Sequence, residues 1–354
     1  MRFDLRRILL IRTDRIGDVI LTTPVASILK QEYPEAKISF LARSYTATIL
    51  RFHQDVDQIL IYDPENAHKG WKGHLQLARE LQNEHFDAAF LFFPTFPLAW
   101  CLFQSGIPRR VGMGFRWYSP LFLNWKVYEH RKYGVKHELE YNLSLLTKFV
   151  DRLPETIPFR FQVPESLIQW RHDFLKRLDL ESPYIIIHPG NGGSAPNLNI
   201  SQYQFIIRWL LEHTEFPIFI TGSFEERILA DQILAGVDTS RLYDLSGKLS
   251  LEELIAFIAG ARLFISSSTG PLHIANAFQV PVLAFYCPAI PCSPRRWGPY
   301  HQLEWAIMPD IPPCKTCNPS RCPHGNCLEK LPELVIGDAL HRRFQSLSAE
   351  EKAQ

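Results

Sequence analysis

The chain has 354 residues, 46% of them hydrophobic and 21% charged, with a formal net charge of +1. That length suits two domains of ordinary size, and the charge balance argues against a nucleic-acid partner held by electrostatics. No apolar run reaches the ~18–20 residues of a membrane span, and the basic start MRFDLRRILLIRTD lacks the apolar length and cleavage site of a signal peptide, so a cytoplasmic protein is expected.

In chain order, ILLIRT reads as a buried strand, and Gly17 to Glu32 as a helix with Ile20, Leu21, Val25, Ile28 and Leu29 on one face. KISFLA is a second strand, SYTATILRF a helix, QILIYD a third strand, Trp71 to Glu84 a helix and DAAFLFFP a fourth strand. The aromatic-rich stretch from Phe115 to Tyr133 shows no clear period, and His137 to Val150 reads as an amphipathic helix. DRLPETIPFRFQVPES reads as a linker. The alternation then restarts: a helix from Ile168 to Leu178, YIIIHPG as strand, a helix from Ser201 to His213, FPIFITGS as strand, EERILADQIL as helix. RLYDLSG, ARLFISS and VPVLAFYC follow as strands around the helices SLEELIAFIAGA, begun by Ser250, and PLHIANAF. Strands that alternate with helices imply parallel sheets. The expected fold class is α/β, as two doubly wound halves facing one cleft.

Ligands of such sheets lie at the carboxyl ends of the strands, which directs attention to three strand-to-helix loops. The loop SSSTGPLH places Thr269 and Gly270 at a helix N-cap and Pro271 in its first turn, where free N–H groups attract an anion. His273 falls within reach of the same anion, although a purely structural cap is the plainer reading of this loop alone. The loop HPGNGGSAPNLN carries Gly190, Gly192 and Gly193, which either lay backbone N–H groups on a phosphate or simply form a tight turn. No G-K-[ST] follows, so it is not a Walker loop. The loop TDRIGDV sets Asp18 directly after Gly17. Neither it nor the 190s loop has G-x-G-x-x-G, which lowers an oxidoreductase reading. Asp55 and Asp57 form a D-x-D that reads as a solvated loop. Arg2, Arg6, Arg7, Arg109, Arg110 and Arg116 are either scattered charges or one basic surface for a peripheral membrane contact. Cys314, Cys317, Cys322 and Cys327, spaced C-x2-C-x4-C-x4-C, read first as free thiols of a reducing compartment or redox-labile pairs, with tetrahedral zinc as the alternative.

RIGDVILTTPVASILKQEYP resembles the opening of the glycosyltransferase family 9 enzymes, typified by ADP-heptose:lipopolysaccharide heptosyltransferases. STGPLHIANAFQVPVLAFYCP followed by PRRWGPY is similar to their donor-domain signature, and HPGNGGSAPN, TGSFEER and the cysteine-rich CKTCNPSRCPHGNCL fall in the family's order. The resemblance implies a GT-B fold, two Rossmann-like domains facing an interdomain cleft. The first, 1–155, would be the acceptor domain, with a C-terminal helix at 333–345 packing back on it, and 165–330 the donor domain. It also implies inverting, metal-independent transfer from a nucleotide-diphosphate sugar, ADP-heptose by the family pattern, to a lipopolysaccharide-core or related glycolipid acceptor at the inner-membrane surface. No cofactor is required.

By the same resemblance Asp18 is the catalytic base, kept ionised by the helix N-terminus and expected at an ordinary aspartate pKa. Ser268, Thr269, Gly270, Pro271 and His273 would hold the donor diphosphate with Gly190, Asn191, Gly192, Gly193, Ser194 and Asn197, and Glu226 or Glu225 the ribose. Thr13, Arg15, Gly17 and His137 would lie on the acceptor side. Two residues depart from the family pattern. Asn197 stands where many members carry a phosphate-binding cation, and Ser268 where some carry an aspartate. A non-catalytic nucleotide- or glycan-binding member and, further off, a Rossmann oxidoreductase are the competing readings.

Overall fold

The computed structural model describes residues 3–180, 183–193, 195–312, 314 and 325–353. Two compact units divide the chain: Met1–Arg131 with Glu138–Gln162, and Lys132–His137 with Val163–Gln354. The first unit is a sheet of six strands, β1 (Arg7–Ile11), β2 (Lys37–Ala42), β3 (Gln58–Ile61), β4 (Ala88–Leu91), β5 (Arg109–Met113) and β6 (Trp125–Val127), in the order β3-β2-β1-β4-β5-β6. Every pairing is parallel. Parallel strands covered on both faces must be apolar throughout, and β1 and β4 are: Ile8 to Ile11 and Ala88 to Leu91 are fully buried. Asp87 fixes their common start by accepting the N–H groups of Arg6 (2.7 Å) and Arg7 (2.8 Å).

The second unit repeats this winding. Strands β7 (Ile185–His188), β8 (Ile218–Ile220), β9 (Leu242–Asp244), β10 (Leu263–Ser267), β11 (Val282–Phe285) and β12 (Ala306–Ile307) lie in the order β12-β11-β10-β7-β8-β9, again all parallel. The strand order therefore reverses between β1 and β4 in one sheet and between β7 and β10 in the other. Such a switch point opens a crevice at the carboxyl ends of its two central strands. The three loops singled out in the sequence follow β1, β7 and β10.

Several elements differ from expectation. The helix foreseen from Gly17 to Glu32 is broken into Ile16–Ile20 and Pro24–Glu32. Pro24 has no N–H to give to the Ile20 carbonyl, and Thr23 takes that acceptor instead through both its N–H (3.1 Å) and its hydroxyl (2.8 Å). The helix foreseen from His137 to Val150 is Glu138–Leu143 followed by a 3-10 turn, Ser144–Leu146. It is buried on both sides, not amphipathic. The helix Phe96–Gln104 and strands β5 and β6 are not marked by the sequence pattern, because the helix is apolar and aromatic all round, β5 opens on two arginines and contains a glycine, and β6 is only three residues long. The C-terminal helix, Glu333–Ala353, counts with the second unit and not, as expected, with the first: Ile336, Ala339, Leu340 and Leu347 share an apolar core with Ile185, Ile187 and Ile206. Among the described residues no helix is long and apolar enough to cross a membrane.

Candidate active site

In the first unit the loop after β1 is organised by Arg12, which is wholly buried. A buried guanidinium must have its charge compensated and its donors used. Its Nε donates to Asp14 Oδ1 (2.6 Å), and Nη2 donates to Asp18 Oδ1. Both Nη groups reach Glu138 Oε1 (3.2 Å each), and Nη1 also reaches Asn142 Oδ1 (3.2 Å). Arg131 donates to the same Glu138 oxygen and to Asn142 Oδ1 (2.9 Å). Asn142 closes the network by donating to the Leu21 carbonyl (2.9 Å) and the Thr22 hydroxyl (3.1 Å), and Thr22 donates to the Asp18 carbonyl (2.8 Å).

Asp18 sits in the first turn of Ile16–Ile20, but its carboxylate does not cap that helix. It faces Arg12 and keeps 14% of its side-chain surface open to solvent. The expectation of an ordinary aspartate pKa is corrected. Burial pushes the Asp18 carboxyl up to about 6; Arg12 opposes the rise, and Asp14 and Glu138 add to it. For Arg12 itself burial works against the charge, but Asp18, Asp14 and Glu138 more than offset it and hold the guanidinium above its ordinary range. Of the other residues expected on the acceptor side, Gly17 is buried beside Asp18, Thr13 is half-buried and Arg15 is exposed at the helix N-cap position. His137 is placed differently. It counts with the second unit, where its Nε2 lies 2.9 Å from the Gly298 carbonyl and its ring meets Tyr300.

In the second unit the loop after β7 turns on Gly192 and Gly193, both at positive φ. Asn191 staples it, accepting from Gly193 N–H (3.0 Å) and donating to the Ala195 carbonyl (2.8 Å). Glu226 latches it from outside: its carboxylate accepts from Gly192 N–H (3.2 Å) and Ser223 N–H (2.8 Å). The same carboxylate lies so close over Gly190 that a Cβ there would meet it at 2.0–2.2 Å. Glu225, one residue earlier, is exposed. Ser194 lies outside the described residues.

The loop after β10 delivers the helix Gly270–Ala277 with Thr269 at the N-cap and Pro271 in the first turn, as expected. The Thr269 side chain makes no capping hydrogen bond, so the first N–H groups remain open to an anion. His273 is buried, and burial first, then the neighbouring His137, lowers it to about 3. It is a neutral imidazole whose Nδ1 has no hydrogen-bond partner among the described residues. The two loops are tied together where β7 and β10 end: Ser267 Oγ accepts from Leu198 N–H (3.4 Å) and lies 3.3 Å from the Tyr203 hydroxyl.

The family model for glycosyltransferase family 9 (heptosyltransferase) matches residues 74–327. The chain is a family 9 glycosyltransferase. It is 30% identical to a Haemophilus influenzae protein named "Putative glycosyltransferase", over 85% of this chain and 88% of that one. Lipopolysaccharide heptosyltransferase 3 of Escherichia coli is 25% identical, over 76% and 79%. The solved structure of the E. coli ADP-heptose lps heptosyltransferase II superposes with a TM-score of 0.75 at 20% identity, covering 98% and 99% of the two chains. The fold is thus GT-B, and the oxidoreductase alternative falls away.

Against the family pattern, the two departures have structural explanations. Asn197 donates to the Pro189 carbonyl (2.6 Å) and accepts from the Tyr203 hydroxyl (2.8 Å), while Asn326 donates to its carbonyl (2.7 Å). It ties the glycine loop to Tyr203 and supplies no charge. Ser268 lies beside the buried Tyr286, whose hydroxyl donates to the Trp297 carbonyl (2.7 Å) and is left to accept from the serine. Asp55 is buried and paired with Arg160 (3.3 Å), which corrects the solvated reading for that residue, whereas Asp57 is exposed as expected and accepts from Ile38 N–H (2.7 Å) and Lys30 (3.2 Å). Cys317 and Cys322 lie outside the described residues. Cys314 and Cys327 gather with Cys287, Ala289, Cys292 and Ile311 in a small apolar cluster. Among the described residues no group of three or more His, Cys, Asp or Glu is placed to hold a metal ion.

Proposed function

We propose that this enzyme is an inverting, metal-independent transferase that moves a heptose from ADP-heptose to a lipopolysaccharide-core or related glycolipid acceptor. The single observation that carries the mechanism is the Asp18 carboxylate, held on buried Arg12 at the switch point of the first sheet and raised toward neutral pH. A base with a pKa near 6 is mostly ionised at pH 7 and is still basic enough to draw a proton from a hydroxyl as its oxygen becomes a bonded ether. The acceptor hydroxyl attacks the anomeric carbon opposite the leaving diphosphate. Its proton passes to Asp18, and the electron pair of the breaking C–O bond leaves on the diphosphate.

Charge developing on that leaving group is met by the open N–H groups at Thr269 and Gly270, by neutral His273 and by the N–H groups of the 190s loop. Glu226 presents its carboxylate beside Gly190 for the ribose hydroxyls, with Glu225 as the alternative. The names of the relatives support heptose, ADP and lipopolysaccharide as the substrates to try first. The test is to incubate the protein with ADP-heptose and a deep-rough lipopolysaccharide acceptor in EDTA and to assign the product anomer by NMR. One ADP per inverted linkage is expected. A retained configuration, or turnover that EDTA abolishes, contradicts the proposal.

A further inference from the structure

The stretch between Asp87 and Glu129 contains no acidic residue, and its only charged side chains are Arg109, Arg110, Arg116 and Lys126. The chain carries 37 acidic residues among its 354, so a stretch of this length would ordinarily hold several. The same stretch presents an unusual share of large apolar side chains to solvent. Trp117 is 74% exposed and Leu121 61%, and Phe96, Phe103, Phe115 and Tyr128 are exposed with them. Phe96 stacks on Trp117 (5.6 Å), both Phe96 and Phe103 touch Phe122 (5.6 and 5.7 Å), and Phe115 meets Tyr128 (5.5 Å). Arg110 lies over Phe103, and Arg116 is exposed next to Trp117. Phe96, Phe115, Arg116, Trp117 and Tyr128 follow the carboxyl ends of β4, β5 and β6, on the sheet edge from which the Asp18 loop leaves β1, while Leu121 precedes β6 and Phe103 and Arg110 lie where the chain enters β5. Phe93, exposed on the same edge, lies under the Arg12 guanidinium at 6.0 Å.

We propose that this acid-free aromatic rim is a membrane-docking face that seats at the headgroup level of an anionic bilayer. Amphipathic aromatic rings favour that depth, a leucine adds burial in the acyl boundary, and uncompensated arginines are attracted to lipid phosphate. A stretch stripped of carboxylates matches a negative surface, which a general protein-binding patch would not require. The face extends the acceptor side of the proposed function by holding the Asp18 edge where a lipid-linked sugar lies. Its test uses neither donor nor acceptor, so it succeeds or fails apart from transfer.

The full-length protein is sedimented with vesicles of phosphatidylglycerol and phosphatidylethanolamine, and separately with phosphatidylcholine alone. Binding to the anionic vesicles, weakened by salt and accompanied by a blue shift of tryptophan emission, is expected, with little on phosphatidylcholine. Trp117→Ser combined with Leu121→Ser should lower partition about tenfold or more, and Arg116→Glu should remove most of the salt-sensitive part. Both variants should melt as the parent does, since the side chains are exposed. No sedimentation with anionic vesicles, or parental binding by the double variant, overturns the proposal. So does a dimer that the double variant abolishes while vesicles bind neither protein, because the face would then belong to a second copy of the chain.

Discussion

Asp18 owes its chemistry to a residue six positions earlier. Arg12 holds one oxygen of Asp18 with the same guanidinium that serves Asp14 and Glu138. Removing one member of a buried charge cluster leaves the others uncompensated, at a cost of about 3–5 kcal/mol. Arg12→Met should therefore unfold at markedly lower denaturant concentration. In whatever fraction folds, the Asp18 carboxyl should titrate above the parental value, as carbon-13 NMR of the labelled carboxyl would show; an unchanged titration contradicts the role given to Arg12. Asp18 itself was legible in the sequence, because Gly17 and Asp18 sit where a strand feeds a helix and match a family motif. Its support was not. Glu138 and Asn142 lie more than a hundred residues along the chain from Arg12, and no local pattern joins them. The raised pKa was missed for the same reason: burial of the carboxylate is a tertiary property, whereas the helix terminus was visible locally.

At the level of elements, the glycine loop after β7 is held by contacts that can be removed singly. Gly190→Ala drives a methyl into the Glu226 carboxylate. That flexible side chain must swing away and release the N–H groups of Gly192 and Ser223. If the loop is a phosphate cradle, ADP affinity measured by calorimetry should fall about 5–30-fold, the equivalent of 1–2 kcal/mol, with little change in melting temperature. Unchanged affinity would remove this loop from the donor site. The helix Ile200–His213 that follows begins with a capping box, Asn199 accepting from Gln202 N–H (2.9 Å) and Gln202 returning the bond (2.9 Å). Asn199→Ala should cost about 1 kcal/mol in chemical denaturation. Ser250 makes the same box with Glu253, and that helix start was readable directly from S-L-E-E. Elements were readable where polar caps and apolar runs agreed. They were not readable where Pro24 intervened, where Phe96–Gln104 is apolar on every side, and where β5 and β6 are short strands without alternation.

The molecule as a whole is one winding used twice, with the candidate site loops at both switch points, and that duplication was visible as two successive runs of alternating strands and helices. The assignment of the last helix was not, since its apolar face fits either unit by pattern alone. Both units also bury neutral histidines: burial lowers His53 and His188 to about 4 and His273 to about 3. An imidazole depressed in the folded state takes up its proton first in the unfolded chain, so stability is lost as pH falls below about 6.5. Asp18 has the opposite sign. Its raised folded value means that the folded state holds the extra proton between about 4 and 6, and this contribution grows as pH falls. Each group is worth about 1.4 kcal/mol per pH unit within its window, so three histidines outweigh one aspartate. The melting temperature should drop steadily from pH 6.5 to 4.5; a flat profile would mean that these rings are not neutral and buried.

The central claim is that an ionised Asp18 removes the acceptor proton. It is tested most directly by turnover of Asp18→Asn beside the parent, at saturating ADP-heptose, across pH 5 to 8. The parental rate should rise with pH through an apparent pKa near 6. The variant should be slower by about 10²–10⁴-fold, lack that limb and bind ADP as tightly as the parent. An asparagine enzyme that transfers sugar at the parental rate, with the same pH limb, would contradict it.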